Sequence, residues 1–331
     1  MQAFVVRDHA GGRSATWEEV ADPSPAPGGV VVQVRAAALA WSDVLQMEGG
    51  YVGAVPDPPF VCGHEFAGEV VAAGEQAQHR PGDRVFGFLA GPGAFAEYVA
   101  APSGLVRRTP DALSDLDAAA FTTSFLTADA ALVAVGGLTA GRSVLVHAAA
   151  GGVGRSAVQL AHVLDAGLVL ATAGSPARRA AAEAAGATAS AGYDDFADLV
   201  RERTGGRGVD VVLESVGGDV FDRSARLLAP FGRLVTIGAS SGTPPQRLKL
   251  PLLWQRSISV CGVHIGRLLA EQPELLEPSW NRLLCLLAAG RITPGVGLVV
   301  TPAGIRHGIE ALRSRIVDGR VVIDFTVGTA S

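Results

Sequence analysis

The sequence predicts an α/β protein, with a central domain built on a doubly wound parallel sheet and a smaller β-rich domain. Strand-like and helix-like segments alternate between residues 143 and 261, and this alternation is typical of parallel βαβ units. Short β-branched runs separated by Pro/Gly clusters fill much of residues 1–119 and indicate a small barrel or distorted sheet. The tail, 266–331, carries two predicted helices and two predicted strands that need a partner sheet. The predicted domains are therefore 1–119, 120–265 and a returning segment, 266–331, that completes the first domain.

Each element is predicted from a local pattern of apolar residues between turn signals. The N-terminal strands are Ala3–Val6, Val30–Val34, Phe66–Ala72, Arg84–Phe88 and Ala94–Val99. Residues 114–135 then become helical in composition. The central strands are Val144–Val146, Leu168–Ala171, Val209–Leu213, Arg233–Ile237 and Ile258–Cys261, with helices at Pro176–Ala185 and Val220–Leu228. The tail strands are Gly297–Val300 and Val321–Phe325.

Composition excludes several function classes. The 331 residues, 48% hydrophobic and 18% charged, suit a globular enzyme with two domains. A net charge of -5 gives no basic footprint for nucleic acid, and no apolar run is long enough to span a bilayer. The first residues lack the pattern of a signal peptide, and three cysteines are too few for a disulfide framework. We therefore expect a cytoplasmic protein that acts on a small molecule, without nucleic-acid or membrane partners.

A glycine turn at 143–154, S-V-L-V-H-A-A-A-G-G-V-G, carries the strongest functional signal. A strand precedes it and a helical pattern follows, which is the context in which such a turn binds a dinucleotide. The free N–H groups and dipole of the helix would face a pyrophosphate. Ala149 stands where the motif has its first glycine, and an ordinary βα turn of small residues is the alternative interpretation. The predicted cofactor-binding residues of the turn are Ala149, Gly151, Gly152, Val153 and Gly154.

The end of the second central strand, residues 171–179, indicates which nicotinamide cofactor is bound. An acid at this point would hold the 2′-hydroxyl of NADH, but none is present. Ser175, Arg178 and Arg179 stand there instead, and guanidinium groups favour the 2′-phosphate of NADPH. Alternatively, Ser175 is a helix N-cap before Pro176 and the arginines form a solvated face. Both interpretations can hold together.

Four motifs carry a resemblance to a known family across essentially the whole chain. They are G-H-E-F-A-G at 63–68, P-G-D-R-V-F-G at 81–87, A-A-A-G-G-V-G at 148–154 and D-G-R-V-V-I at 318–323. The chain resembles the medium-chain dehydrogenase/reductase superfamily, in its zinc-free quinone oxidoreductase-like branch. The resemblance implies a GroES-like β domain completed by the C-terminus, a central Rossmann domain and an active-site cleft between them.

The resemblance also implies cofactor contacts. In similar enzymes a serine, a basic residue and a tyrosine hold the 2′-phosphate, and Ser175, Arg178 and Tyr193 match these positions. Thr127 matches a threonine near the nicotinamide ring. The turns at 215–218 and 237–240 follow strands of the Rossmann sheet, where ligands bind at the carboxyl ends. The residues predicted there are Ser215, Val216, Ile237 and Gly238.

No metal is predicted. Zinc-dependent relatives use two cysteines and the His of G-H-E, but Ala40 and residues 120–121 occupy the cysteine positions here. His64 remains, and a pair with Cys62 on one strand face would still lack a third ligand. The alternative is that His64 forms hydrogen bonds within the cleft or core. A zinc alcohol dehydrogenase is accordingly the less favoured function.

Without a Lewis acid, hydride transfer from NADPH to an activated C=C bond or a quinone fits better than alcohol oxidation. Tyr51 matches a substrate-site tyrosine of quinone reductases and enoyl reductases, and a loop aromatic is its alternative role. Ser42 stands at a proton-relay position, although it could also cap a helix. Asp43 is expected to form a structural ion pair. Tyr51 and Ser42 are the predicted catalytic residues.

The predicted function is therefore an NADPH-dependent, zinc-free reductase of a quinone, an enone or an acyl thioester. The alternative is a catalytically altered member, either an NADPH-binding scaffold or a non-redox cyclase, because Ala40 replaces an asparagine common in the branch. A homodimer joined through the apolar strand at 258–263 is also expected.

Overall fold

The computed structural model describes residues 1–9, 14–53, 56–242 and 250–327. The chain divides into two units by its internal contacts. The β unit comprises Met1–Thr123, Gly266–Glu274 and Pro294–Ser331, and the α/β unit comprises Ser124–Ile265 and Leu275–Thr293.

The strands and helices are numbered here in chain order. The strands are β1 Gln2–Val6, β2 Thr16–Glu19, β3 Gly29–Leu39, β4 Phe60–Val61, β5 Glu65–Ala73, β6 Arg84–Phe88, β7 Tyr98–Pro102, β8 Val106–Arg108, β9 Ser143–Val146, β10 Leu168–Thr172, β11 Ala189–Ala191, β12 Val209–Glu214, β13 Leu228–Thr236, β14 Ser259–Gly262, β15 Val296–Val300 and β16 Arg320–Asp324. The helices are α1 Trp41–Met47, α2 Asp115–Ala119, α3 Thr122–Asp129, α4 Gly152–Val163, α5 Pro176–Ala184, α6 Phe196–Thr204, α7 Gly218–Ala225, α8 Leu250–Arg256, α9 Ile265–Glu271, α10 Glu277–Ala288 and α11 Ile305–Arg313.

The β unit is built around the long strand β3, which is buried over most of its length. Its main sheet runs β15-β16-β3-β5-β6-β8, with β7 also paired to β3, and a second sheet runs β2-β1-β4. The late strand β16 pairs antiparallel with β3, from Val321 opposite Leu39 to Asp324 opposite Ala36. The tail therefore completes the N-terminal sheet, as predicted.

The α/β unit contains a parallel sheet in the order β11-β10-β9-β12-β13-β14. Counted from β9, this is the strand order 3-2-1-4-5-6 of a doubly wound dinucleotide-binding fold. The strand order reverses between β9 and β12, and ligands bind at the carboxyl ends beside such a point. Leu145, Leu170 and Val212 pack together with Phe196 in its core. The predicted doubly wound sheet is confirmed.

Some elements begin or end at other residues than predicted. The strand predicted at 94–99 lies at β7, and Ala96 forms only an isolated bridge to Ala3. The helix predicted to end at Leu228 ends at Ala225, because Leu228 already pairs with Val209 in the sheet. The helical stretch 114–135 is divided into α2, α3 and a π-helical segment at Ala130–Val135.

The observed division into two units also differs from the predicted domain limits in the tail. Residues 275–293, including α10, belong to the α/β unit, whereas the prediction placed all of 266–331 in the first domain. The cause is a pair of long-range contacts. Arg282 donates two hydrogen bonds, 2.7 and 3.0 Å long, to the buried carboxylate of Asp129. Gln159 of α4 holds the backbone of Thr293 at both its N–H and its carbonyl group.

Among the described residues, no helix combines the length and apolar character needed to cross a membrane.

Candidate functional site

The glycine turn connects β9 to α4 at the carboxyl edge of the parallel sheet. Gly151 is the N-cap residue of α4, with φ -81° and ψ 172°, and no side chain caps the helix. The turn is closed by two backbone hydrogen bonds of 2.9 Å, from Gly151 N–H to Ala148 O and from Ala149 N–H to Thr172 O. The first N–H groups of a helix have no partner within it, so those of Gly152–Gly154 are available to an anion.

Gly154 is required by the space around it. A Cβ at this position would lie 2.3 Å from the carbonyl oxygen of Ala148. The start of α4 therefore packs closely against the turn itself at Gly154. Ala148 has φ 50°, a left-handed conformation that is uncommon for a residue with a Cβ. Backbone geometry, rather than side-chain chemistry, thus forms this part of the site.

Ser175 lies at the next strand end, after β10. Its hydroxyl oxygen accepts the N–H of Arg178 at 3.3 Å and caps α5, with Pro176 at the helix start. The capping alternative is therefore correct, and it leaves the hydroxyl hydrogen of Ser175 available. A Cβ at the neighbouring Gly174 would meet no atom within 4 Å, and Arg178 is half-buried. The role predicted for Ser175 and Arg178 at a 2′-phosphate stays a prediction.

Tyr193 follows β11, and its backbone is held in place by the guanidinium group of Arg223 on α7. The guanidinium group of Arg223 donates to the carbonyl oxygens of Tyr193, at 2.7 Å, and Asp194, at 2.6 Å. The same group lies 4.4 Å above the ring centre of Phe196. Sequence analysis did not identify Arg223, since a charged residue in an amphipathic helix gives no sign of its distant partner.

Ser215, Val216, Ile237 and Gly238 lie after β12 and β13 at this same edge. The carboxylate of Glu214 holds the turn at 215–218 in place, because one of its oxygens accepts the N–H groups of Val216 and Gly217, both at 2.7 Å. Burial raises the pKa of Glu214, and the two amides oppose that shift. Gly238 has open space where a side chain would stand. Glu214 was missed because it ends an apolar run.

His147, directly before Ala148 of the glycine turn, is a third residue that sequence analysis missed. The Ser224 hydroxyl donates to Val220 O at 2.6 Å, so it accepts from His147 Nε2 at 2.7 Å. Nδ1 of the imidazole then accepts the hydroxyl hydrogen of Thr172 at 2.8 Å. Burial, with a contribution from nearby Arg223, lowers the pKa of His147 to about 3, so the ring is neutral. This buried network joins β9, β10 and α7 beneath the turn.

Thr127 lies on α3 of the α/β unit. It is 5% exposed, and its hydroxyl has no hydrogen-bond partner in the part of the chain that the structure describes. An unpaired buried hydroxyl is unfavourable, and a ligand could satisfy it. Its predicted place beside a nicotinamide ring stays a prediction.

The β unit carries the predicted catalytic residues. Ser42 is the second residue of α1, and the N-cap position belongs to Ala40, so Ser42 does not cap the helix. Asp43 instead accepts the N–H of Ala40 at 2.7 Å. The prediction that Asp43 forms an ion pair is wrong, because its Oδ1 is buried without a partner among the described residues. Burial raises the pKa of Asp43 to about 7, with a further increase from the charge of Glu65.

Tyr51 follows α1 and is half-buried. Burial raises the pKa of its phenol, and the charge of Asp43 raises it further. The phenol is therefore a stable hydrogen-bond donor at neutral pH. This is the protonation state that its predicted role requires.

His64 is held inside the β unit. Its Nδ1 donates to the carbonyl oxygen of Leu89 at 3.1 Å, so its Nε2 accepts from the amide of Gln46 at 2.9 Å. Its ring stacks on Phe88 with 5.3 Å between centres, and burial lowers its pKa. The alternative of a hydrogen-bonded histidine is therefore correct. Cys62 is buried and lies between β4 and β5, so it does not share a strand with His64.

No group of three or more His, Cys, Asp or Glu side chains within residues 1–9, 14–53, 56–242 and 250–327 is arranged to hold a metal ion. Glu65, beside His64, is already occupied: it accepts the N–H of Thr123 at 2.8 Å and forms a buried ion pair with Arg320.

Comparisons with known proteins match both units. Residues 26–111 match the family described as "Alcohol dehydrogenase GroES-like domain", and residues 152–281 match the family "Zinc-binding dehydrogenase". The human synaptic vesicle membrane protein VAT-1 homolog is 33% identical over 321 residues, covering 92% of this chain and 80% of that protein. Erythronolide synthase EryA2 of Saccharopolyspora erythraea is 46% identical over 216 residues, which are 64% of this chain but 6% of that much longer protein.

Solved structures share the fold over nearly the full length. The quinone oxidoreductase of Thermus thermophilus, also solved in complex with NADPH, is 34% identical with a TM-score of 0.86 and covers 98% of this chain and 100% of that one. The CurK enoyl reductase is 27% identical with a TM-score of 0.86 and covers 98% of this chain and 99% of that one.

Proposed function

Because this chain belongs to the medium-chain dehydrogenase/reductase superfamily, in its quinone oxidoreductase-like branch, we propose that it is an NADPH-dependent reductase of quinones or α,β-unsaturated carbonyl compounds. The observation that carries the proposal is the edge of the parallel sheet. The uncapped start of α4 and the pair Ser175 and Arg178 offer two separate places for phosphate groups. No acidic residue stands at 171–179 to repel a 2′-phosphate.

The residues at this edge fit NADPH. The N–H groups of Gly152–Gly154 would bind the pyrophosphate, where Gly154 leaves no room for a side chain. Ser175, Arg178 and Tyr193 would bind the 2′-phosphate, and Arg178 would supply charged hydrogen bonds. The cofactor, when bound, supplies the hydride. Ser215, Val216, Ile237 and Gly238 would flank its remaining parts, and the unpaired hydroxyl of Thr127 would serve the nicotinamide end.

Tyr51 would act on the substrate oxygen. When hydride reaches the β carbon of an enone or enoyl thioester, negative charge develops on the carbonyl oxygen and needs a hydrogen-bond donor. The raised pKa of Tyr51 keeps its phenol hydrogen in place for this role. Ser42, half-buried near the start of α1, offers a second hydroxyl. The positions where zinc-dependent relatives carry cysteines are Ala40 and residues 120–121, which have no ligand atoms in their side chains.

The activity is tested by NADPH oxidation with three substrates: a quinone, an enone and a crotonyl thioester. Tyr51→Phe should lower kcat at least tenfold, since a lost donor to a developing oxyanion typically costs about 100-fold or more. The Kd for NADPH should stay unchanged. Tyr98→Phe, on β7, is the matched control and should retain full turnover. Unchanged turnover in Tyr51→Phe would remove Tyr51 from the mechanism.

The cofactor preference is tested separately by calorimetric titration. Arg178→Ala should weaken NADPH binding about tenfold or more and leave NADH binding nearly unchanged, because a charged hydrogen bond contributes about 1.5–3 kcal/mol. Arg201→Ala is the control, since Arg201 lies on α6 and pairs with Asp198. Equal losses for both cofactors would contradict the assignment of the 2′-phosphate.

A catalytically altered member remains the second candidate, and Ala40 is the observation that favours it. Ala40 stands at the N-cap of α1, and its methyl side chain cannot form a hydrogen bond with a substrate. Intact NADPH binding with no turnover of any of the three substrates would favour a scaffold or a non-redox cyclase.

We also propose a homodimer joined through β14. This strand ends the parallel sheet and pairs only with β13 within the described residues, so its other edge can pair with a second copy. Light scattering behind size exclusion should give twice the chain mass, and a monomer at all concentrations would contradict the proposal.

A cytoplasmic location is proposed from cysteine chemistry. Cys62, Cys261 and Cys285 are all free thiols, which fits a reducing compartment. Fractionation of cells that express the tagged protein tests this location directly.

A further inference from the structure

We propose a phosphate-binding site on the α/β unit that is separate from the dinucleotide turn. It is a surface cavity of about 150 Å³ between α4, the end of α5 and the segment after α10. Its polar lining residues are Arg155, Gln159, His162, Arg291 and Thr293.

The sequence of α4 creates one wall of the cavity. Arg155, Gln159 and His162 are spaced four and three residues apart, so their side chains share one face of the helix. The opposite face is apolar and buried, with Val158 and Ala161 fully inaccessible. A polar, partly basic stripe therefore runs along an otherwise buried helix.

The other wall is held in place by side-chain contacts. Gln159 accepts the N–H of Thr293 at 2.9 Å and donates to its carbonyl oxygen at 3.1 Å. Arg291, two residues before, makes a single long contact of 3.5 Å with the carbonyl oxygen of Val163. These contacts hold Arg291 in the wall of the cavity that Arg155 also lines.

Charge is unbalanced in the cavity. Within the described part of the chain, neither Arg155 nor Arg291 has a carboxylate oxygen within 4.0 Å. No acidic residue lines the cavity, so its two guanidinium groups have no counter-charge there. An anion bound in the cavity would balance their charge.

A phosphate group matches the donors best. Guanidinium groups bind phosphate oxygens through paired N–H groups, and two of them on one cavity can neutralise a dianion. The small side chains of Ala184 and Ala185 close the cavity without competing for the ligand. Since one water occupies about 30 Å³, the volume accommodates a phosphate and a few waters.

The phosphate has two possible sources, free inorganic phosphate and the adenosine 3′,5′-bisphosphate end of a coenzyme A thioester. The second source rests on the proposed function, because it supposes a thioester substrate. The site itself does not depend on it.

Calorimetric titration of inorganic phosphate tests the site. It is performed on the free protein and on protein saturated with NADP⁺, which fills the cofactor's own phosphate positions. One equivalent should bind saturably in the presence of NADP⁺. Arg155→Gln and Arg291→Gln should each weaken this binding at least tenfold. Arg142→Gln, which removes an exposed arginine of the same unit, should leave it unchanged.

The outcomes separate the hypotheses. Absence of saturable binding, or equal weakening by Arg142→Gln, would overturn the site. Arg291 is exposed, so its variant keeps the test decisive even if Arg155→Gln fails to fold. If NADP⁺ does not bind, the proposed function fails, but the variants still report on phosphate in the free protein.

A second titration identifies the source. Tenfold tighter binding of adenosine 3′,5′-bisphosphate, with a raised KM of Arg155→Gln for crotonyl-CoA but not for a quinone, supports coenzyme A. Equal affinity for both probes supports free phosphate.

Discussion

Replacing Asp43 by Asn should change how the stability of the protein depends on pH. Asp43 is 1% exposed, and one of its carboxylate oxygens lacks a partner within the described ranges. Burial raises its pKa from 3.8 to about 7. The folded protein therefore keeps a proton on Asp43 at pH values where the unfolded chain has released it. The free energy of unfolding consequently falls as pH rises through this window.

The size of the effect follows from the shift. Each pKa unit corresponds to about 1.36 kcal/mol, so ionising Asp43 in the folded state costs about 4 kcal/mol in full. Between pH 5 and pH 8 this group alone should lower the free energy of unfolding by about 2–3 kcal/mol. Asn keeps the oxygen that accepts the Ala40 N–H and does not titrate. The variant should therefore lack this decrease.

Urea unfolding of the wild type and Asp43→Asn at pH 5, 6, 7 and 8 measures the difference. Comparing the two proteins at each pH cancels every other titrating group. The gap should move by about 2–3 kcal/mol in favour of Asn from pH 5 to pH 8. A constant gap would show that Asp43 does not titrate there and would refute the reasoning. Asp57→Asn, at an exposed loop position, should show no such change.

Three further predictions follow from the α/β unit. Gly154→Ala should raise the Kd for NADPH at least tenfold in a binding titration, because its Cβ would lie 2.3 Å from the carbonyl oxygen of Ala148. Arg223→Met should weaken NADPH binding severalfold more than NADH binding, since it releases the backbone at Tyr193. His147→Gln should reduce the loss of stability on acidification. The folded-state pKa of about 3 lies below the unfolded value of 6.5, so His147 alone should lower the free energy of unfolding of the wild type by about 1.6 kcal/mol between pH 6.5 and pH 5.

Matched variants control these three measurements. Gly104→Ala introduces a methyl group into open space and should bind NADPH normally. Arg226→Met removes a neighbouring guanidinium of the α7 end and should preserve the ratio of the two cofactor affinities. His162→Gln removes an exposed histidine and should keep the acid sensitivity of the wild type. Wild-type behaviour in a test variant, or the same change in its control, would contradict the corresponding prediction.

The sheet of the α/β unit could be predicted because its central strands are largely buried. Runs such as Val144–Val146 and Val209–Leu213 leave little ambiguity when helices separate them. The helix cap at Ser175 could also be predicted from the sequence, because a serine before a proline is a local signal for the start of a helix.

Contacts between distant residues were not accessible from the sequence. Asp129 and Arg282 are 153 residues apart, and neither residue carries a local sign of the other. The same holds for the Gln46–His64 pair, which depends on how α1 packs beside the segment before β5. The environment of Asp43 is also a property of burial from several directions, so its ion pair was predicted wrongly.

The segment 275–293 has a consequence for the order in which the chain can fold during synthesis. The buried carboxylate of Asp129 has its ion-pair partner only after Arg282 is synthesised. The edge of β3 has its neighbouring strand only after β16 is synthesised, and both partners leave the ribosome late. Neither unit is a continuous stretch of chain. A nascent chain that stops at residue 265 would hold one unneutralised buried charge and one open strand edge, so both units should reach protease resistance only near the end of translation.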